Sequence, residues 1–278
     1  MLASHSIRHA ARLVQGADAL IIAAGAGMSV DSGLPDFRGS NGLWSTLLPE
    51  GMRERDIGAL TQGGCFTNDP VSAWRFYGRA IDVCGHATPH AGYETLLRWG
   101  QRMKHGAFVY TSNVDGHFQK AGFAESRVIE CHGTMHFLQC ATPCSADIWP
   151  ANGREASLGD APDMTRTELP RCIHCGGLAR PNFLLFSDPG WLAARTHAQW
   201  QRFDAWRRAA ERPVIVEIGA GLAVPSVRLF AESLRSPLVR INLHDAQAGD
   251  SDVALAGGAR DVLMEIDAAL AAFEDGPR

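Results

Sequence analysis

No run of apolar residues in this 278-residue chain is long enough to span a bilayer, and the chain holds no internal repeat and no low-complexity tract. Charge is also sparse. Only 20% of residues are charged and the net value is -4, which argues against a dedicated nucleic-acid binder. The first seventeen residues lack any acid, as transit segments do. Ile7, Ala10, Ala11 and Val14 nevertheless recur at helical spacing, so the stretch reads as an amphipathic first helix leading directly into a strand. No secretory signal is expected and the seven cysteines are an odd number, so neither is a disulfide framework. The expected setting is a reducing, cytoplasmic compartment, with no membrane and no nucleic acid as partner. The 46% hydrophobic content suffices for one large core, or for a core domain plus a smaller module.

Four short apolar runs read as buried strands. They are Ala19 to Ala23, Ala107 to Thr111, Val214 to Ile218 and Leu238 to Ile241, each followed by small or polar residues. Separated by helical stretches, they predict a Rossmann-like parallel α/β sheet with helices on both faces and a ligand at the carboxyl ends of the strands. Two stretches break the alternation. Residues 38–85 look helical and loop-rich, with Trp44, Trp74, Phe76 and Tyr77; residues 134–180 hold the cysteine pairs around a polar loop. They are expected to form one small domain, part helical and part zinc-binding. The Rossmann-like domain would then comprise 1–37, 86–133 and 181–278.

Gly25-Ala26-Gly27-Met28-Ser29 follows the first strand, where glycines let a backbone approach a pyrophosphate and free N–H groups attract its charge. A tight strand-to-helix turn would use the same residues. Ser32-Gly33-Leu34-Pro35-Asp36-Phe37-Arg38-Gly39 comes next, and packing requires no such loop; it looks like a lid over a ligand. Ser112-Asn113-Val114-Asp115 puts an amide and a carboxylate at a strand end, able to hold a carboxamide, orient a water or cap a helix. His132-Gly133 offers a base titrating near neutrality, or a structural histidine. Cys140-x3-Cys144 and Cys172-x2-Cys175 have the spacing of a structural tetrahedral zinc site, with no open position for catalysis.

Taken together these residues resemble the sirtuin family over nearly the whole chain. Gly25 to Gly39 is similar to the family's Gly-Ala-Gly…Ser-Gly-Ile-Pro-Asp-Phe-Arg signature, Ser112 to Asp115 to its Gln-Asn-Ile-Asp motif, and His132-Gly133 to its catalytic histidine. Arg180 to Asp188 looks like its acyl-lysine strand, and Gly219-Ala220-Gly221-Leu222 and Ile241-Asn242 like its last nucleotide motifs. The resemblance implies an NAD-dependent lysine deacylase that forms nicotinamide and O-acyl-ADP-ribose, with one structural zinc. It implies catalytic roles for His132 and Asn113. It makes Gly25, Ala26, Gly27, Ser29, Asp36, Phe37, Arg38, Ser112, Asn113, Asp115, Gly219, Ala220, Gly221, Asn242, Leu243 and Arg260 cofactor-binding residues. It assigns the acyl-lysine peptide to Phe183, Leu184, Phe186, Ser187 and Asp188.

Several positions depart from the family pattern. Ser112 replaces its Gln, Gly221 its Ser, Phe183-Leu184 its paired valines and Ser187-Asp188 its Gly-Glu, and the first cysteine pair is one residue longer. An NAD glycohydrolase or ADP-ribosyltransferase on the same fold is therefore the alternative, and a non-catalytic NAD-binding protein a third reading. Family members that prefer succinyl-lysine carry a Tyr and an Arg three residues later. Here Tyr77 fits the first position, but the second is Ala80, and Arg79 is one residue off, about 100° around a helix. Neutral acyl groups, acetyl or longer, are expected.

Overall fold

The computed structural model describes residues 4–34, 47–48, 52–160, 164–249 and 251–274. In chain order its elements are α1 (Ser4–Gly16), β1 (Ala19–Ala24), α2 (Gly27–Val30), α3 (Ile57–Leu60), α4 (Cys65–Asn68), α5 (Pro70–His86), α6 (Ala91–Arg102), β2 (Ala107–Thr111), α7 (His117–Lys120), β3 (Val128–Glu130) and β4 (Gly133–Cys140). There follow β5 (Ile148–Pro150), β6 (Ala179–Phe183), α8 (Ala194–Arg207), β7 (Pro213–Ile218), α9 (Ser226–Ser233), β8 (Leu238–Asn242), β9 (Val253–Ala256) and α10 (Ala259–Glu274).

Six strands form a parallel sheet in the order β3-β2-β1-β7-β8-β9. The four expected strands are its centre; β3 and β9 extend it at either edge. The period of two along each strand divides the core. Leu20, Ile22, Ala24, Val214, Val216 and Ile218 face one apolar cluster, whereas Ala19, Ile21, Ala23 and Ile215 face another. Both faces are covered, which is why these strands read as unbroken apolar runs. Helix α1 lays Ile7, Ala10, Ala11 and Val14 into the first cluster and packs on α10. Burying Ile7 or Val14 contributes about 1.5–3 kcal/mol each, so an acid at either position would detach the helix.

Chain order runs outward from β1 to β2 and β3, then restarts beside β1 at β7. The sheet therefore has a topological switch point between β1 and β7, where open α/β sheets bind ligands. The turns after these strands meet there backbone to backbone. Gly27 N–H donates to the Gly219 carbonyl at 3.1 Å, and a Cβ on Gly25 would stand 2.6 Å from that oxygen. Gly219 itself has φ 61, which glycine adopts without penalty.

A second sheet, β5-β4-β6, is antiparallel. It packs with α5, whose buried Ala73, Tyr77, Ala80 and Cys84 recur at helical spacing. Asp69 caps α5 by accepting from Ser72 N–H at 3.2 Å, and Trp74 Nε1 donates to the Ala179 carbonyl of β6 at 3.1 Å. Strand β6 crosses the boundary expected at residue 181, because Pro181 and Phe183 pair with β4. The expected acyl-lysine strand is regular only to Phe183; beyond it Phe186 makes an isolated bridge to Gln62. No helix among the described residues is long and apolar enough to cross a membrane.

Candidate active site

A cavity of about 930 Å³ opens at the switch point. One end is built by the glycine turns, Gly25, Ala26 and Gly27 against Gly219, Ala220 and Gly221, and by Asn242 and Leu243 after β8. The other end is apolar and reaches into the second unit, between Tyr77, Val114, Met135, Phe183, Leu184 and Phe186. Ser112 and His132 line the same cavity.

Asn113 stands behind Gly25. Its Nδ2 donates to the Gly25 carbonyl at 3.0 Å and to Ser29 Oγ at 3.1 Å, while its buried Oδ1 has no partner. Leaving a buried acceptor unpaired costs about 1–3 kcal/mol. Ser29 is the hub of the group. Its hydroxyl donates to Asp115 Oδ2 at 2.7 Å, so the hydroxyl of Tyr93, 3.0 Å away, donates to it in turn. The other Asp115 oxygen accepts from His117 N–H at 3.0 Å. Ser29, Asn113 and Asp115 thus support the turn from behind and do not line the cavity.

His132 sits between β3 and β4. Gly133 lets the chain leave in a left-handed conformation (φ 71), where a Cβ would lie 2.1 Å from the Asn182 carbonyl. The ring Nε2 is 3.3 Å from Ser226 Oγ at the start of α9. Burial pushes the imidazole pKa below its usual 6.5, and a hydrogen bond to the Ser112 backbone only partly offsets this. The ring is therefore neutral at pH 7 and able to accept a proton.

Asn242 orders the loop beyond β8. Its Nδ2 donates to the Ala220 carbonyl at 2.9 Å and its Oδ1 accepts from the N–H groups of His244 and Asp245. Arg228 donates to the Asp245 carbonyl at 2.7 Å and Arg240 to that of Gln247 at 2.5 Å. Arg240 is held in turn by a bidentate pair with Glu217 across the β7–β8 ladder.

The sulfurs of Cys140, Cys144, Cys172 and Cys175 all lie within 4.8 Å of one another. Cys140 and Cys175 are 3.8 Å apart, Cys144 and Cys172 3.6 Å. A tetrahedral zinc with Zn–S of about 2.3 Å requires sulfur separations of about 3.8 Å, so the four residues fit a structural zinc. Gly176, with φ 69, turns the second knuckle, and Gly177 N–H points at Cys175 Sγ.

Ser187, Asp188 and Arg260 were also expected at the site, and none of the three lines the cavity. The resemblance places Asp188 among the peptide-binding residues; its carboxylate is turned inward, 1% exposed, and paired with Arg180. An acid beside an apolar segment is stabilised by the nearest buried cation, which the β6 register supplies. Arg260 points out at the start of α10, 49% exposed and paired with Asp261, and does not line the cavity. Ser187 does not line it either; its φ of 49 makes the turn into Asp188. Asp36, Phe37 and Arg38 lie outside the described residues.

The profile of the Sir2 family matches residues 25–238. The chain belongs to the Sir2 family. Among relatives of this sirtuin, an NAD-dependent protein deacylase 2 of Pseudomonas aeruginosa is 35% identical over 187 residues, 66% of this chain and 67% of its own. An NAD-dependent protein deacetylase 2 of Geobacillus kaustophilus is 30% identical over 260 residues, 91% of this chain and 93% of its own. A solved Sir2 enzyme superimposes with TM-score 0.68 at 25% identity, covering 97% of this chain and 99% of that one. A Sir2 homologue solved with NAD has the same fold, with TM-score 0.68 at 23% identity and coverage of 95% and 94%.

Several residues around this sirtuin's cavity have no signature in the sequence. Tyr93 and Ser226 lie 64 and 94 residues from the groups they contact. Thr61, Tyr77 and Met135 line the apolar end, although only the Tyr77 region attracted notice as a sequence. Arg79, two residues after Tyr77, donates to the carbonyls of Gly159 at 3.1 Å and Leu48 at 2.8 Å and does not line the cavity.

Proposed function

We propose that this sirtuin is an NAD-dependent protein-lysine deacylase acting on neutral acyl groups. The observation that carries the reading is a cavity whose lining brings together a glycine cradle, His132 and an apolar pocket. The cradle at Gly25, Gly27 and Gly219 suits a pyrophosphate, since its backbones meet without a Cβ between them. Asn113, whose Nδ2 donates to the Gly25 carbonyl from behind the cradle, would keep that turn in shape beside the nicotinamide half of the cofactor.

Bound NAD would supply a ribose carbon that exchanges nicotinamide for the acyl oxygen of lysine. Ser29, Tyr93 and Asp115 keep Asn113 and the Gly25 turn in place for that exchange. His132, neutral and largely dehydrated, accepts a proton from a ribose hydroxyl, and Nε2, which faces Ser226, is the accepting atom. Tyr77, Met135 and Phe183 exclude water from the acyl chain. Among the described residues the cavity lining holds no Lys or Arg for an acidic acyl group, and Arg79 is committed to two backbone carbonyls. The four thiolates hold the second unit together around zinc and take no part in the chemistry. They keep their metal in a reducing setting, which favours the cytoplasm.

Mass spectrometry of the products from NAD and an acetyl-lysine peptide tests the assignment. O-acetyl-ADP-ribose and free lysine peptide are expected. Free ADP-ribose with an unchanged peptide would replace the reading with NAD hydrolysis.

A further inference from the structure

Arg180 and Asp188 bracket the segment that carries Phe183, Leu184 and Phe186, and the chemistry above uses neither. Their side chains are each 1% exposed. Asp188 Oδ1 accepts from Arg180 Nη1 at 3.0 Å and Oδ2 from Nη2 at 2.5 Å. Each partner also holds a backbone group of the chain between them. Arg180 Nη2 donates to the Phe183 carbonyl at 2.8 Å, and Asp188 Oδ2 accepts from Leu185 N–H at 3.2 Å. Those two groups flank Leu184, whose own N–H donates to the His132 carbonyl at 2.8 Å. Phe186 is fixed next, its N–H to the Thr61 carbonyl at 3.0 Å and its carbonyl to Gly63 N–H at 2.8 Å. The segment is therefore tied at four successive residues before any peptide arrives, with the Leu184 and Phe186 side chains 38% and 51% exposed on the cavity wall.

Stability alone does not call for an ion pair here. Two charges removed from water cost as much as they return, and well-packed apolar residues of the same volume serve as well or better. What the pair adds is direction. The guanidinium fork can grip a carboxylate and a carbonyl at once, and the carboxylate can take a backbone N–H besides. We propose that Arg180 and Asp188 are positioning residues for the acyl-lysine peptide, an ionic clasp that sets residues 183–186 in register with His132 in the free enzyme. The proposal rests on the deacylase reading.

The test uses the full zinc-loaded chain and two variants. Asp188→Asn breaks the pair; the double replacement Arg180→Met with Asp188→Leu removes both charges and keeps the volume filled. Peptide KM, kcat and NAD Kd are measured for each. Amide hydrogen exchange of Leu184 and Leu185 is followed in the peptide-free wild type. NAD Kd should stay within about twofold while peptide KM rises about tenfold or more in both variants, with a smaller change in kcat. Both amides should be protected before peptide is added. A double variant with normal NAD Kd and normal peptide KM overturns the proposal, since the pair would then only fill space. Unprotected Leu184 and Leu185 amides in the free wild type also overturn it, and that result does not depend on either variant folding. A wild type that binds no acyl-lysine peptide refutes the deacylase reading instead, and the exchange rates still decide whether the clasp orders the segment.

Discussion

The Nε2 of His132 lies 3.3 Å from the hydroxyl of Ser226, which joins the turn after β3 to the start of α9 at the cavity lining. Burial of the ring, partly offset by a hydrogen bond to the Ser112 backbone, sets the protonation state on which the chemistry depends.

Replacing His132 by Ala should lower turnover by about 10²–10⁴-fold, the usual share of a general base, and leave NAD binding close to normal. Steady-state kinetics beside a calorimetric NAD titration checks this. Near-normal turnover would remove His132 from its assigned role.

Burial lowers the folded pKa of His132, and of His90 and His117 as well. For His132 the proton-accepting form should persist below pH 6.5, so the acidic limb of kcat/KM falls on the acid side of that value. The sign for stability follows from the same shifts. Between the lowered folded pKa values and 6.5 the unfolded chain binds more protons than the folded one, so stability is full above 6.5 and declines as pH falls through that window. Urea titrations at a series of pH values would show it. A stability that rises on acidification from 6.5 would contradict the burial of these rings.

Freshly purified protein should contain one zinc per chain, held by Cys140, Cys144, Cys172 and Cys175. Structural zinc is worth about 10–16 kcal/mol in small peptides, so Cys172→Ser should lose the metal and unfold the β4–β6 unit at a lower temperature than the parallel sheet. Metal analysis and a calorimetric melt test both points. Active protein without zinc would refute the site.

On one peptide sequence, acetyl and medium-length neutral acyl groups should exceed succinyl in kcat/KM by about 10²-fold, since a buried carboxylate without a cation costs several kcal/mol. Arg79→Ala should leave this order unchanged, because its guanidinium is already committed to Gly159 and Leu48. Succinyl as best substrate, with that preference lost in Arg79→Ala, would overturn the assignment.

Gly219→Ala would place a Cβ 2.4 Å from Gly27 Cα in a left-handed conformation. It should abolish NAD binding and destabilise the fold by about 1–3 kcal/mol. Gly16→Ala, where a Cβ meets nothing within 4 Å, is the control and should change neither. Thermal melts and NAD titrations of both variants decide the point.

The parallel sheet was legible because strands covered on both faces leave unbroken apolar runs, and the thiolate cluster because paired cysteines have few other uses in a reducing setting. The edge strands were not. β3 has only three residues, and β9 alternates buried Val253 and Leu255 with exposed alanines of weak strand preference. The orientation of Asp188 was equally hidden, since an outward acid and one folded back onto a cation eight residues earlier have the same spacing. Tyr93 and Ser226 reach the site only through tertiary packing. No periodicity could have announced them.

Strands β4 and β6 have a further consequence. Gly133 pairs with Phe183 at one end of this ladder and Cys140 with Ala179 at the other. The first end adjoins His132 and the peptide segment; the second adjoins the thiolates. Loss of the metal, by chelation or oxidation, would loosen the Cys140 end of the ladder whose other end, past a shift of register between Gly133 and Leu138, carries the proposed peptide segment, while the glycine turns stand on a different sheet. Such an enzyme under oxidative stress would lose its grip on protein before it lost its grip on the dinucleotide.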